Sequence, residues 1–100
     1  MKHKSHCCRV CGAYYKDFYP WGEDGKVCSY EICLCCGVQF GYGDETHEMI
    51  DEFRKKWIKD GAKWKDRDGQ PKHWNVVQQL EHILDRETVE KLLRDNENVD

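Results

Sequence analysis

The chain has 100 residues and a mass of 11.9 kDa, with 39% of positions hydrophobic against 35% charged, which allows one domain with a small core and no more. A net charge of −3 and an isoelectric point near 5.9 run against a dedicated nucleic-acid binder, which needs a surplus of Lys and Arg for phosphates. No stretch approaches the roughly 18 apolar residues of a membrane span, and an odd set of seven cysteines behind a start without an apolar leader reads as a cytoplasmic chain with reduced thiols.

Residues 1–43 form one compositional block, holding all seven cysteines and eight of the twelve aromatics. Alternating polar and apolar residues predict short strands at Ser29–Ile32 and Val38–Tyr42 and a weaker one at Tyr14–Tyr19, with a loop at Pro20–Gly25. From Asp44 the period becomes helical. Met49, Ile50, Phe53, Trp57 and Ile58 recur at steps of three and four, Asp44 or Thr46 stands as the N-cap, and Gly61 ends the helix. Residues 62–73 are a polar connection. Asn75 and Gln78 approximate a capping box that opens a helix bearing Val76, Val77, Leu80, Ile83 and Leu84. Asp85 is placed to cap a further turn or short helix with Val89, Leu92 and Leu93, and residues 95–100 are expected to fray. The expected fold class is α+β: a single domain over 1–100, with a zinc ribbon of short, rubredoxin-like antiparallel strands at 1–43 followed by two to three C-terminal helices at 44–94. The core set expected from these patterns is Tyr30, Ile32, Val38, Phe40, Phe53, Trp57, Leu80 and Leu84.

Two copies of Cys-x-x-Cys-Gly carry the chemistry: Cys8-Arg9-Val10-Cys11-Gly12 and Cys33-Leu34-Cys35-Cys36-Gly37. Two thiolates spaced this way on a tight turn reach one metal together, and the glycine accepts the positive φ that the turn needs. The 21 residues between Cys11 and Cys33 slightly exceed the usual separation of about 15–20 for paired turns of this kind. Cys8, Cys11, Cys33 and Cys36 are therefore the expected ligands of one structural Zn2+, a closed site of four sulfurs. The same ligands suit a single iron, as in rubredoxin. Buried, reduced cysteines acting as small hydrophobes are the plain alternative. A slip of register to Cys7 or Cys35 is conceivable, but only the Cys8/Cys11 and Cys33/Cys36 pairs keep the glycine frame. Cys28 reads as a core residue, and His3 and His6 as a polar stub with a minor claim to a ligand role.

These knuckles, with Tyr30-Glu31-Ile32-Cys33 leading into the second, resemble the small bacterial cysteine-rich proteins named for a CPCC motif, a zinc-ribbon-like family. Arg9 and Leu34 stand where that family has proline. The resemblance, which extends through Gly41-Tyr42-Gly43-Asp44, Trp57 and Gly61-Ala62-Lys63-Trp64, implies a ribbon fold and a zinc ion. It implies little about activity, although some small proteins of this general kind resemble immunity or antitoxin partners.

Three functional classes follow. A non-catalytic binding module with a protein partner is favoured, with Trp21, Trp64 and Trp74 as candidate contact residues in loops, unless they simply cover the core. The alternative is a regulatory nucleic-acid-binding zinc ribbon, contacting through the ribbon or the basic run from Arg54 to Arg67; it is disfavoured because Asp51, Glu52, Asp60, Asp66 and Asp68 interleave the run and make it read as a salt-bridged surface. An enzyme is not expected: Asp44, His47, Glu48, His73 and His82 assemble no nucleophile, acid or base motif.

Overall fold

In a computed structural model of the chain, the backbone of residues 5–97 and the side chains of residues 5–95 are described. Two turns of one design organise its first half. In the first knuckle Cys8 N donates to Ala13 O (2.9 Å), Gly12 N to Cys8 O (3.0 Å) and Tyr15 N to His6 O (2.9 Å). The second repeats this with Cys33 N to Val38 O (2.8 Å), Gly37 N to Cys33 O (3.0 Å) and Phe40 N to Glu31 O (2.9 Å). Gly12 and Gly37 take φ of +82° and +83°, the left-handed conformation in which a Cβ is strained.

The expected strands do not form. Among the described residues there is no strand or sheet, only two isolated antiparallel bridges, Cys7 with Tyr14 and Ile32 with Gln39. The α+β zinc-ribbon assignment is therefore corrected to two bonded turns followed by helices. The backbone shows why the second pair stops short. Tyr30 turns left-handed at φ +64° on one side, and on the other Gly41 does so at +102° while Tyr42 N and Gly43 N both fold back to Gln39 O. In the first, a turn follows Tyr15, and the His6 ring holds it through Tyr15 O (2.7 Å) and Phe18 O (3.0 Å). The alternation that suggests strands is real but comes from packing around the cysteines: Val38 and Phe40 are buried and Gln39 between them is exposed.

Among the described residues the second half holds three α-helices, α1 (His47–Lys59), α2 (Val76–Leu80) and α3 (Arg86–Glu97), with a short 3-10 turn at Arg67–Gly69. Thr46 caps α1, its Oγ1 accepting from Met49 N at 3.1 Å. Asp44 is buried instead, accepting from Trp21 Nε1 and from Gly41 N, each at 2.8 Å. Asn75 caps α2 by accepting from Gln78 N at 3.1 Å, yet that helix ends at Leu80 and Ile83 and Leu84 lie in turns leading to α3. Both α1 and α2 pack on α3. Val10, Val38, Phe40, Leu80 and Val89 are completely buried, with Trp57, Ile58 and Trp64 beside them and Phe53 and Leu84 half-buried against the same core. Tyr30 and Ile32, expected in this core, are 56% and 62% exposed, because the left-handed turn at Tyr30 carries that segment outward. No helix among the described residues is long and apolar enough to cross a membrane.

Candidate metal centre

The two knuckles face each other across their cysteines. The sulfurs of Cys8, Cys11, Cys33 and Cys36 all lie within 4.8 Å of one another, and all four residues are buried. Cys8 Sγ and Cys36 Sγ are 3.7 Å apart, as are Cys11 Sγ and Cys33 Sγ. A disulfide needs about 2.05 Å. A tetrahedron with metal–sulfur bonds of about 2.3 Å has edges of about 3.8 Å, so the four sulfurs fit one tetrahedral ion. The chain is thus a cysteine-rich module with an arrangement that could bind a metal.

Electrostatics distinguish the four. Burial pushes the Cys8, Cys11 and Cys36 thiols well above the usual range. Cys33 is driven the other way, because hydrogen bonds from Cys11, Cys36 and Cys8 converge on its sulfur and outweigh its burial. Tyr15 adds to this by donating its hydroxyl to Cys33 Sγ at 3.1 Å while accepting from Leu34 N at 2.9 Å. That phenol is itself held protonated, first by burial and then by the charge on Cys33.

The helical half grips the knuckles through two buried polar side chains. From α1, Arg54 donates Nε to Val10 O (2.7 Å) and Nη2 to Arg9 O (2.8 Å), with Asp51 3.3 Å away as counter-ion. Burial lowers the Arg54 pKa, and Asp51 opposes that shift. From α2, Gln79 donates Nε2 to Cys11 O (3.1 Å) and to Cys35 Sγ (3.3 Å), while its Oε1 accepts from Trp74 Nε1 at 2.6 Å. His82 Nδ1–H, the tautomer that a carbonyl acceptor requires, reaches Gly12 O at 2.8 Å. The patterns of α1 and α2 could have pointed to Arg54 and Gln79. Each falls within the three- and four-residue register of its helix's apolar face, Arg54 after Ile50 and Gln79 after Val76.

The remaining candidates are placed as follows. Cys35 occupies the position in the second knuckle that Val10 has in the first, and both are completely buried. Cys7 is buried and Cys28 half-buried. His6 stacks on Tyr19 with ring centroids 4.2 Å apart, and His3 lies outside the described residues. Trp64 is buried, while Trp21 and Trp74 are half-buried against the core with their indole N–H groups bonded to Asp44 and Gln79. Arg9 covers the face of Trp21 at 3.9 Å.

No family model matches the chain. No solved structure matches it either. It is similar to the uncharacterized protein YozI of Bacillus subtilis (strain 168), 31% identical in an alignment 78 positions long that covers 60% of this chain and 62% of that protein. The match spans less than two thirds of that relative's length.

Proposed function

We propose that the chain is a zinc-stabilised, non-catalytic binding module whose partner is a protein. The observation that carries the metal reading is the convergence of four buried sulfurs, within 4.8 Å of one another, from two turns with the same bonding. Four thiolates leave no coordination position for a substrate or water, the mark of a structural site, and zinc adds no redox chemistry. Cys8, Cys11, Cys33 and Cys36 would hold the ion, which supplies folding free energy to a small core. Tyr15, Gln79 and Arg54 orient the turns around it.

The partner reading rests on what stays exposed. Of the large apolar side chains left at the surface among the described residues, Val27, Tyr30, Ile32, Leu34 and Tyr42 come from residues 27–42 around the second knuckle, and Tyr14 lies outside that segment. Tyr30 and Tyr42 lie together, ring centroids 5.8 Å apart, and Tyr30 holds a left-handed φ that a bulky residue rarely adopts. This patch, rather than the tryptophans, supports protein contact.

Elemental analysis of the purified protein together with affinity capture from its host tests both parts. One zinc per chain, and a specific protein retained by the native chain but lost with Tyr30→Ser/Tyr42→Ser, is the expected result. Stoichiometric iron with a visible charge-transfer band would instead make it an electron carrier, and salt-sensitive retention of nucleic acid alone would replace the protein partner.

A further inference from the structure

The two knuckles match residue for residue: Cys8 corresponds to Cys33, Cys11 to Cys36 and Gly12 to Gly37, and the bond from Tyr15 N to His6 O corresponds to that from Phe40 N to Glu31 O. Tyr15 and Phe40 therefore occupy equivalent positions, and their rings meet edge to face with centroids 6.4 Å apart. They differ by one hydroxyl. That of Tyr15 crosses to the second knuckle, donating to Cys33 Sγ at 3.1 Å and accepting from Leu34 N at 2.9 Å. Phe40 has no such group to offer Cys8. Among the described residues, Cys33 is the one sulfur of the four with a side-chain donor from outside the cluster, since the Gln79 amide goes to Cys35 Sγ instead.

Four thiolates around one divalent ion leave excess negative charge on the sulfurs, and here all four are buried. In such surroundings a hydrogen bond to a charged sulfur is stronger than in water. Hydrogen bonding to ligand sulfurs is one of the means by which a protein tunes the ion they hold. The Tyr15 phenol is well placed to act this way. Burial and the charge on Cys33 keep it protonated, so it remains a donor, and the Leu34 N–H on its oxygen polarises it further. Its ring is wedged edge to face between Phe18 and Phe40, and the His6 ring holds its carbonyl at 2.7 Å, so the hydroxyl is aimed in advance.

We infer that Tyr15 makes the centre electronically asymmetric: its hydroxyl draws charge from the Cys33 sulfur, so that Cys33 is the weakest electron donor of the four ligands while Cys8, its counterpart in the first knuckle, keeps its full donor strength. Tyr15 is a positioning residue that acts on the ion through Cys33, and a tyrosine in one knuckle against a phenylalanine in the other is what sets the two turns apart. The inference rests on the four-sulfur metal site proposed above and is the same for any divalent ion held there.

The test loads the full chain with Co2+ and follows its sulfur-to-cobalt charge-transfer absorption. Tyr15→Phe, which makes the two knuckles alike, should move that band to lower energy and weaken Co2+ binding about 10–100-fold. Gln79→Leu removes bonds to Cys11 O and Cys35 Sγ and touches no ligand sulfur, so it should weaken binding with the band in place. Biosynthetic 3-fluorotyrosine, a more acidic donor, should move the band of the otherwise native chain to higher energy and leave that of Tyr15→Phe where it is; the native-chain measurement stands even if Tyr15→Phe folds poorly. A band that ignores both the substitution and the fluorine, or that moves as far in Gln79→Leu, would overturn the inference and leave the metal site standing. A native chain without the spectrum of tetrahedral cobalt in four sulfurs would instead remove the site, and the inference with it.

Discussion

Gly12→Ala and Gly37→Ala impose the same backbone strain but different collisions. With φ of +82° and +83°, each new Cβ costs about 1–2 kcal/mol before it touches anything. At Gly37 the Cβ meets the Lys65 stem at 3.0 Å and 3.1 Å, and a lysine stem swings into solvent. At Gly12 it falls 2.2 Å from Gln79 O, backbone of α2 that can yield only if the helix retreats by about 1 Å. Such a retreat stretches the bonds from Gln79 to Cys11 O (3.1 Å) and Cys35 Sγ (3.3 Å) and from His82 to Gly12 O (2.8 Å). Each is worth about 1 kcal/mol. Gly12→Ala should therefore cost about 3 kcal/mol more than Gly37→Ala, which for a domain of this size separates the melting midpoints by about 12–24 °C. Thermal unfolding of both metal-loaded variants, followed by circular dichroism, makes the comparison. Equal losses, or a greater loss for Gly37→Ala, would refute the docking of α2 on the first knuckle as described.

Arg54→Met should cost about 3 kcal/mol in urea unfolding, because it strands the Val10 and Arg9 carbonyls that the guanidinium bonds at 2.7 Å and 2.8 Å, and Arg54→Lys should recover less than half, having no fork to reach both. Burial pushes the Cys7 thiol from 9.0 up to about 11, so in the metal-free protein the stability it contributes is complete below pH 9 and lost as pH rises through about 11; Cys7→Ala should make the alkaline limb shallower in a pH series of melting midpoints, with the loss from Cys8, Cys11 and Cys36, also raised, remaining. Iodoacetamide on the folded, metal-loaded protein should label Cys28 first and leave Cys7 and Cys35, 3% and 0% exposed, with the four cluster cysteines unmodified until unfolding, as mass spectrometry of timed digests would show.

The centre was legible in the sequence because its determinants are local. A cysteine pair at fixed spacing and a glycine that tolerates positive φ define each turn, and the structure realises both at Gly12 and Gly37. Helix α1 was legible for the same reason, through its period and its Thr46 cap. The expected strands fail because alternation records burial as much as pairing: Val38, Gln39 and Phe40 alternate around a sulfur cluster, and their pairing stops at the single Ile32–Gln39 bridge. The tryptophans were ambiguous because an indole in a loop looks the same in sequence whether it faces a partner or, like Trp21 over Asp44, closes the core. For Arg54 and Gln79 the helix register marks an inward-facing position but not the contact, because their acceptors are backbone carbonyls 44 and 68 residues away.

The central claim, one ion held by Cys8, Cys11, Cys33 and Cys36, is tested most directly by X-ray absorption at the metal edge of the loaded protein. The account predicts four sulfur neighbours at about 2.3 Å and no lighter donor. A first shell containing nitrogen or oxygen, or fewer than four sulfurs, would contradict it.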